Sequence, residues 1–219
     1  MDARANKKAA RQQLSTRRDP ERTRAAILAA ATAEFCRKGL DGARIDQITR
    51  RSGVNKRMIY HYFGNKEGLY LVVLEKSYIA IRTAEFALSL TDQGPVEGMR
   101  SLVLFTWEYL TTHPEFLSLL GTENLHHAVH LKKLPHLRKL HSPLIAMISA
   151  LLERGVKRKL FRKGVDPVQL YISIAALGFF YLSNTHTLSV IFGRDLTAPL
   201  AIAERGSHIA DVVLGYLRP

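Results

Sequence analysis

Residues 45–69, IDQITRRSGVNKRMIYHYFGNKEGL, decide the fold. Ile45–Ser52 reads as a helix of two turns, Gly53-Val54 breaks it, and Asn55 caps a second two-turn helix over Lys56–Phe63. Gly64 ends that segment, and Asn65 caps a longer helix that starts Lys66-Glu67-Gly68-Leu69. Two short helices across a tight glycine turn make the helix-turn-helix pattern, which many helical hairpins share. Composition sharpens it. The second helix carries Lys56, Arg57, Tyr60, His61 and Tyr62, while Met58, Ile59 and Phe63 are left to pack inward. A basic, aromatic, hydrogen-bonding face on a two-turn helix suits a DNA groove better than plain water.

Upstream, Asp19-Pro20-Glu21 is a helix start, with a side-chain cap, proline in the first turn and an acid at the positive end of the dipole. Ile27, Leu28, Ala31 and Phe35 form one apolar stripe, and Gly39 stops the helix. Cys36, the single cysteine, lies beside that stripe and reads as a small core residue; one cysteine excludes a disulfide framework and a four-cysteine zinc site within one chain. Residues 1–18 hold six basic residues and almost no large apolar one, so they read as a basic, disordered arm, either solvated or able to follow phosphates.

The charge is uneven. Residues 1–66 carry sixteen Lys/Arg against six Asp/Glu, and residues 67–219 sixteen against thirteen, out of a net +13 over 219 residues. That asymmetry suggests an electrostatic footprint for nucleic acid or an anionic membrane on an otherwise ordinary domain. A hydrophobic content of 47% excludes a wholly disordered chain. The longest apolar run, Leu170–Leu182, has 13 residues, short of a bilayer span, and no apolar leader follows the basic N-terminus. The expectation is a cytoplasmic protein with no membrane association.

Beyond about residue 83 the chain reads as an all-helical array: Val96–Thr112, Glu115 to about Leu131, Ser142-Pro143 to about Arg158, Asp166-Pro167 to about Phe192, and Pro199 to Tyr216. The helix from Pro167 is apolar nearly all round, which means deep burial or a partner. Glu123, Asn124, Asn184 and His186 interrupt apolar helices. Such groups bond one another or point into a cavity, which Trp107, Phe116 and Phe180 could line. Glu123, Asn124 and Asn184 with those aromatics are the candidate ligand-binding residues. Glu123, His126 and His130 have a spacing that can hold a metal if the helix continues through them. No phosphate-cradling loop, nucleophile elbow or located carboxylate pair points to catalysis, and no cofactor is implied.

Residues 21–78, above all GVNKRMIYHYFGNKEGL, resemble the N-terminal DNA-binding domain of the TetR/AcrR family of bacterial regulators. The resemblance implies an all-α fold: a three-helix helix-turn-helix domain over 19–66 and a helical ligand-binding and dimerisation domain over 67–219. It implies that Lys56 and Arg57 open the recognition helix, that Tyr60, His61 and Tyr62 reach phosphates or base edges, and that Lys66 and Arg44 hold phosphates at helix starts. Asn55, Arg57 and Arg44 depart from the family's usual Ser or Ala, Gly and Thr, and Arg57 adds a donor fork suited to guanine. The function implied is a repressor, homodimeric through the two C-terminal helices, released from a palindromic operator on double-stranded DNA by a small-molecule effector. A constitutive regulator, or a metal-responsive one using Glu123, His126 and His130, stays open beside it.

Overall fold

A computed structural model describes residues 20–219, so the basic arm and the Asp19 cap lie outside the described residues. Among these residues there are nine α-helices and no strand, the all-α class expected. The described residues form two compact units that meet between Val73 and Leu74.

In the first unit, α1 (Pro20–Gly42) is broken at Gly39, whose φ of 65° is the left-handed conformation that stops a helix. Ile27, Leu28, Ala31 and Phe35 are buried, as the stripe required. α2 (Ile45–Ser52) ends on Gly53, again left-handed at φ 67°, which turns the chain into α3 (Lys56–Phe63). Ile48 of α2 and Ile59 and Phe63 of α3 face inward beside Tyr70, which meets Phe35 edge to face at 5.2 Å. Glu34, buried on α1, accepts the backbone N–H of Arg44 at 3.4 Å and pairs with Arg37 at 3.2 Å, fixing the corner before α2.

The corner after α3 is equally constrained. Asn65 Oδ1 accepts the Gly68 N–H at 2.7 Å, the cap read from sequence, and opens α4 (Lys66–Phe86). A Cβ on Gly68 would lie 2.2 Å from the Phe63 carbonyl oxygen. Backbone cannot yield there as a side-chain tip can, so Gly68→Ala should destabilise the first unit by about 1–3 kcal/mol or more. Urea unfolding followed by circular dichroism checks this; an unchanged midpoint would show that the α3–α4 corner is not held as described.

In the second unit α5 (Pro95–Thr112) is central, packed by α7 (Leu137–Lys157), α8 (Pro167–Phe192) and α9 (Pro199–Leu217). Met99, Leu102, Leu144, Ile148, Ile174 and Ile209 form the middle of its core. The Arg154 guanidinium donates to the carbonyls of Leu90, Thr91 and Gln93, tying α7 to the α4–α5 loop. Asp166 caps α8 through the Val168 N–H at 2.8 Å, as its sequence predicted.

Three expectations need correction. α6 (Pro114–Leu125) stops six residues before Leu131, because His127 and Ala128 take φ of 54° and 56°; a short 3-10 turn follows at Leu131–Lys133. α7 begins at Leu137, not at Ser142-Pro143. Pro143 lies inside the helix, where it forgoes one hydrogen bond to the preceding turn without ending it. The 13-residue run also understated α8. Its 26 residues include an 18-residue window of mean hydropathy 1.2, the one described helix whose length and composition reach the range of a membrane span, with 22% of that window buried.

Candidate nucleic-acid interface and ligand unit

α3 presents two faces. Ile59 and Phe63 point into the core, while Asn55, Lys56, Arg57, Tyr60 and His61 are exposed, Tyr60 at 44%. Tyr62 is half-buried, its ring edge-on to His61 at 5.3 Å and tilted against Phe63 at 6.1 Å. An exposed Tyr, His and Arg on consecutive turns is the outward set that the sequence placed there. Asn55, Lys56 and Lys66 have local partners as well. Asn55 Oδ1 accepts the Arg57 N–H at 2.9 Å, so that oxygen is engaged in capping the helix. Lys56 donates to Asp46 of α2 at 2.8 Å. This contact holds the Asp46 carboxyl below the usual carboxylate range and the Lys56 ammonium above its own. Lys66 donates to the carbonyls of Asp41 and Ala43 at 3.2 and 3.3 Å, where it closes the α1–α2 turn. Arg44 stands exposed just before α2.

Sequence reading passed over Arg50 and Arg51, both exposed in the last turn of α2, where cations favour the helix dipole and add to the unit's positive charge. Their adjacency in a run of basic residues was the available signal. Glu34 was also missed, since a lone acid on an amphipathic helix gives no sign of burial.

The ligand candidates of the second unit do not converge. Trp107 is buried in the core. Its indole N–H donates to the Ile202 carbonyl at 3.1 Å, and a Cβ on Gly206 would touch its ring at 2.6 Å. Phe116 is buried edge-on to Tyr78 at 5.4 Å and Tyr109 at 6.1 Å. Glu123, 2% exposed, bonds His130 Nδ1 and the Leu131 N–H, both at 2.9 Å, and so holds the irregular segment after α6. Asn124 and Asn184 each donate to the carbonyl four residues earlier in their own helix, at 2.8 Å. Phe180 is 59% exposed, in an open groove of about 510 Å³ between α8 and α9 with Leu170, Leu177, Arg205, Val212 and Tyr216.

The metal constellation assumed a continuous helix from Glu123 to His130. The break after Leu125 removes that face, and among the described residues no three His, Cys, Asp or Glu are grouped to hold an ion.

Comparison with known proteins agrees with this architecture. Residues 27–73 match the model for bacterial regulatory proteins of the tetR family, and residues 95–213 match the tetracyclin repressor-like C-terminal domain, which includes most of α8 and α9. The HTH-type transcriptional repressor NicS of Pseudomonas putida is 41% identical over 198 residues, 90% of this chain and 93% of the relative. The HTH-type transcriptional regulator RutR of Escherichia coli is 26% identical over 197 residues, 89% of this chain and 90% of the relative. The ketosteroid transcriptional regulator KstR2 of Mycobacterium tuberculosis superposes with a TM-score of 0.65 at 20% identity, covering 90% of this chain and 95% of the other; identity that low speaks for the fold alone. With both halves matched and a near full-length relative at this identity, the chain belongs to the TetR family of DNA-binding transcriptional regulators.

Proposed function

We propose that this chain is a sequence-specific transcriptional repressor that binds a near-palindromic operator as a homodimer and leaves it when a small molecule occupies the C-terminal unit. The observation that carries the reading is the split of α3, with Ile59 and Phe63 buried and Arg57, Tyr60 and His61 exposed. In this reading Arg57 reads a base edge, Tyr60, His61 and Tyr62 contact phosphates or bases, and Arg44, Lys56 and Lys66 supply phosphate contacts around them. Lys66 can do so only with the donor capacity left after Asp41 and Ala43, and Lys56 only in competition with Asp46. Asn55 acts through the cap that orients Arg57. The repressor sign rests on NicS, which is named a repressor.

One two-turn helix reads too few base pairs for genomic selectivity, so two copies about 34–36 Å apart are required. The α8–α9 face supports that pairing: Ile172, Phe180, Val212 and Tyr216 are 42–59% exposed on helices that the matched family model includes. The membrane-length hydropathy of α8 has the same explanation, an apolar face that meets a second copy. Ligand and DNA binding are then linked, so an effector weakens DNA binding by the factor by which DNA weakens effector binding.

Mobility shifts on the intergenic DNA beside the chain's own gene test the reading. Binding there should exceed binding to random duplex by on the order of 10³-fold or more at matched salt, and should weaken steeply as salt rises. Equal affinity for both DNAs would remove the proposal.

A further inference from the structure

The second unit contains a buried charge that its own partners leave incomplete. Arg82 of α4 is 3% exposed. Its Nη2 donates to the Tyr171 hydroxyl at 2.7 Å and lies 2.9 Å from the Glu85 carboxylate, but Nε and Nη1 meet no acceptor. Glu85, 1% exposed, faces the guanidinium without a well-directed hydrogen bond at either oxygen. Buried charges are retained where paired and fully bonded, and bare guanidinium donors in a protein interior are costly. The groups nearby are largely aromatic. The Tyr78 and Tyr109 rings both stand edge-on to Phe116, and the guanidinium lies over the Tyr171 ring at 5.4 Å. Tyr78 lies in the field of Glu123, Tyr171 and Arg82 and also walls a recess of about 410 Å³ with Ala128, Leu131 and Leu134. Ala128 belongs to the positive-φ segment after α6, so irregular backbone borders that recess.

We propose that Arg82 anchors the effector: a small carboxylate whose oxygens take the unpaired guanidinium donors. This rests on the reading of the chain as ligand-responsive and names the chemical class that reading leaves open. Arg suits a carboxylate because its planar fork matches two oxygens. Glu85 is the internal counter-charge that such a ligand replaces. Burial pushes the Glu85 carboxyl up to about 7 against the pull of Arg82. The groups facing Glu85 are Arg82 on its own helix, Tyr109 on α5 and Tyr171 on α8. Both phenols are raised above their ordinary range, chiefly by burial, and stay neutral near pH 7. An anion arriving at Arg82 therefore favours protonated Glu85, and its affinity rises as pH falls from 8 to 6, by about tenfold for one proton taken up.

Calorimetric titration of the full-length protein with benzoate, benzamide and inorganic phosphate tests this, with operator binding measured separately. Benzoate should bind at one site per chain, at least tenfold tighter than benzamide or phosphate, and about tenfold tighter at pH 6 than at pH 8. Arg82→Met should abolish benzoate binding. Because that variant can also fail by misfolding, Glu85→Gln carries the second arm: it should bind benzoate more tightly than the parent at pH 8 and lose the pH dependence, a gain that no folding defect produces. No benzoate binding at millimolar concentration, benzamide or phosphate binding as well as benzoate, or Glu85→Gln matching the parent would overturn the proposal. Operator binding that persists through such a result leaves the repressor reading intact, whereas loss of operator specificity alone defeats that reading and not the anion site.

Discussion

Phe180→Glu should give a protein that runs as a 24.6 kDa single chain in light scattering, about half the mass of the parent, and that has lost on the order of 100-fold in operator affinity. Phe180 is 59% exposed in a groove whose walls include Leu170, Leu177, Arg205, Val212 and Tyr216, so within one chain the substitution removes little burial. Surface changes of that kind usually alter stability by no more than about 0.5 kcal/mol. In the proposed dimer the same side chain lies at the seam, and an isologous interface repeats every substitution twice. Two glutamates then enter a mostly apolar seam in which the guanidinium lining each groove, Arg205, already donates to the Leu177 carbonyl at 2.9 Å, so both carboxylates lose more solvation than they regain. The effect on DNA follows from geometry, since a single recognition helix lacks the second half-site that a linked copy holds at millimolar effective concentration. A Phe180→Glu protein that stays dimeric, or a monomer that keeps full operator affinity, would place the pairing surface elsewhere.

Arg57→Lys should cost about 2–6 kcal/mol of operator affinity while leaving binding to random duplex within a few fold. The charge is kept, and with it the counterion release that drives non-specific binding. What is lost is the fork. A guanidinium donates two parallel hydrogen bonds to guanine O6 and N7, worth about 1–3 kcal/mol per contact, and a dimer makes the contact twice. The proposed role suits Arg57, whose side chain is exposed at the start of α3 and whose N–H Asn55 caps at 2.9 Å. Anisotropy titrations on the operator and on random duplex at one salt concentration separate the two effects. Equal losses on both DNAs would make Arg57 a phosphate contact and move base reading to another residue.

The first unit was legible because each of its signals is local. Asn55 and Asn65 are caps, Gly39 and Gly53 are left-handed stops, and the alternation of Ile59 and Phe63 with Arg57, Tyr60 and His61 is set by the helical period alone. The second unit was legible in class and in most helix starts, but less so in its interior. The end of α6 depends on positive φ at His127 and Ala128, conformations that neither residue type signals and that the Glu123 bonds to His130 and Leu131 hold in place. The polar candidates failed to converge for a related reason. An Asn in an apolar helix looks like a ligand group in sequence, yet Asn124 and Asn184 satisfy themselves on their own helices. Arg82 and Glu85 drew no notice in the sequence for the opposite reason: three residues apart on one helix is the ordinary spacing of a solvated ion pair, and only the fold shows both side chains buried.

The most direct measurement of how DNA is read is a hydroxyl-radical footprint of the full-length protein on the intergenic DNA beside its gene, combined with methylation interference at guanine N7. Two symmetric protected patches on one face of the duplex are expected, with interfering guanines in major grooves about 34–36 Å apart, and with interference weakened when Arg57 is replaced by Lys. A single continuous protection without guanine interference, or a pattern that Arg57→Lys leaves unchanged, would contradict recognition by paired copies of α3.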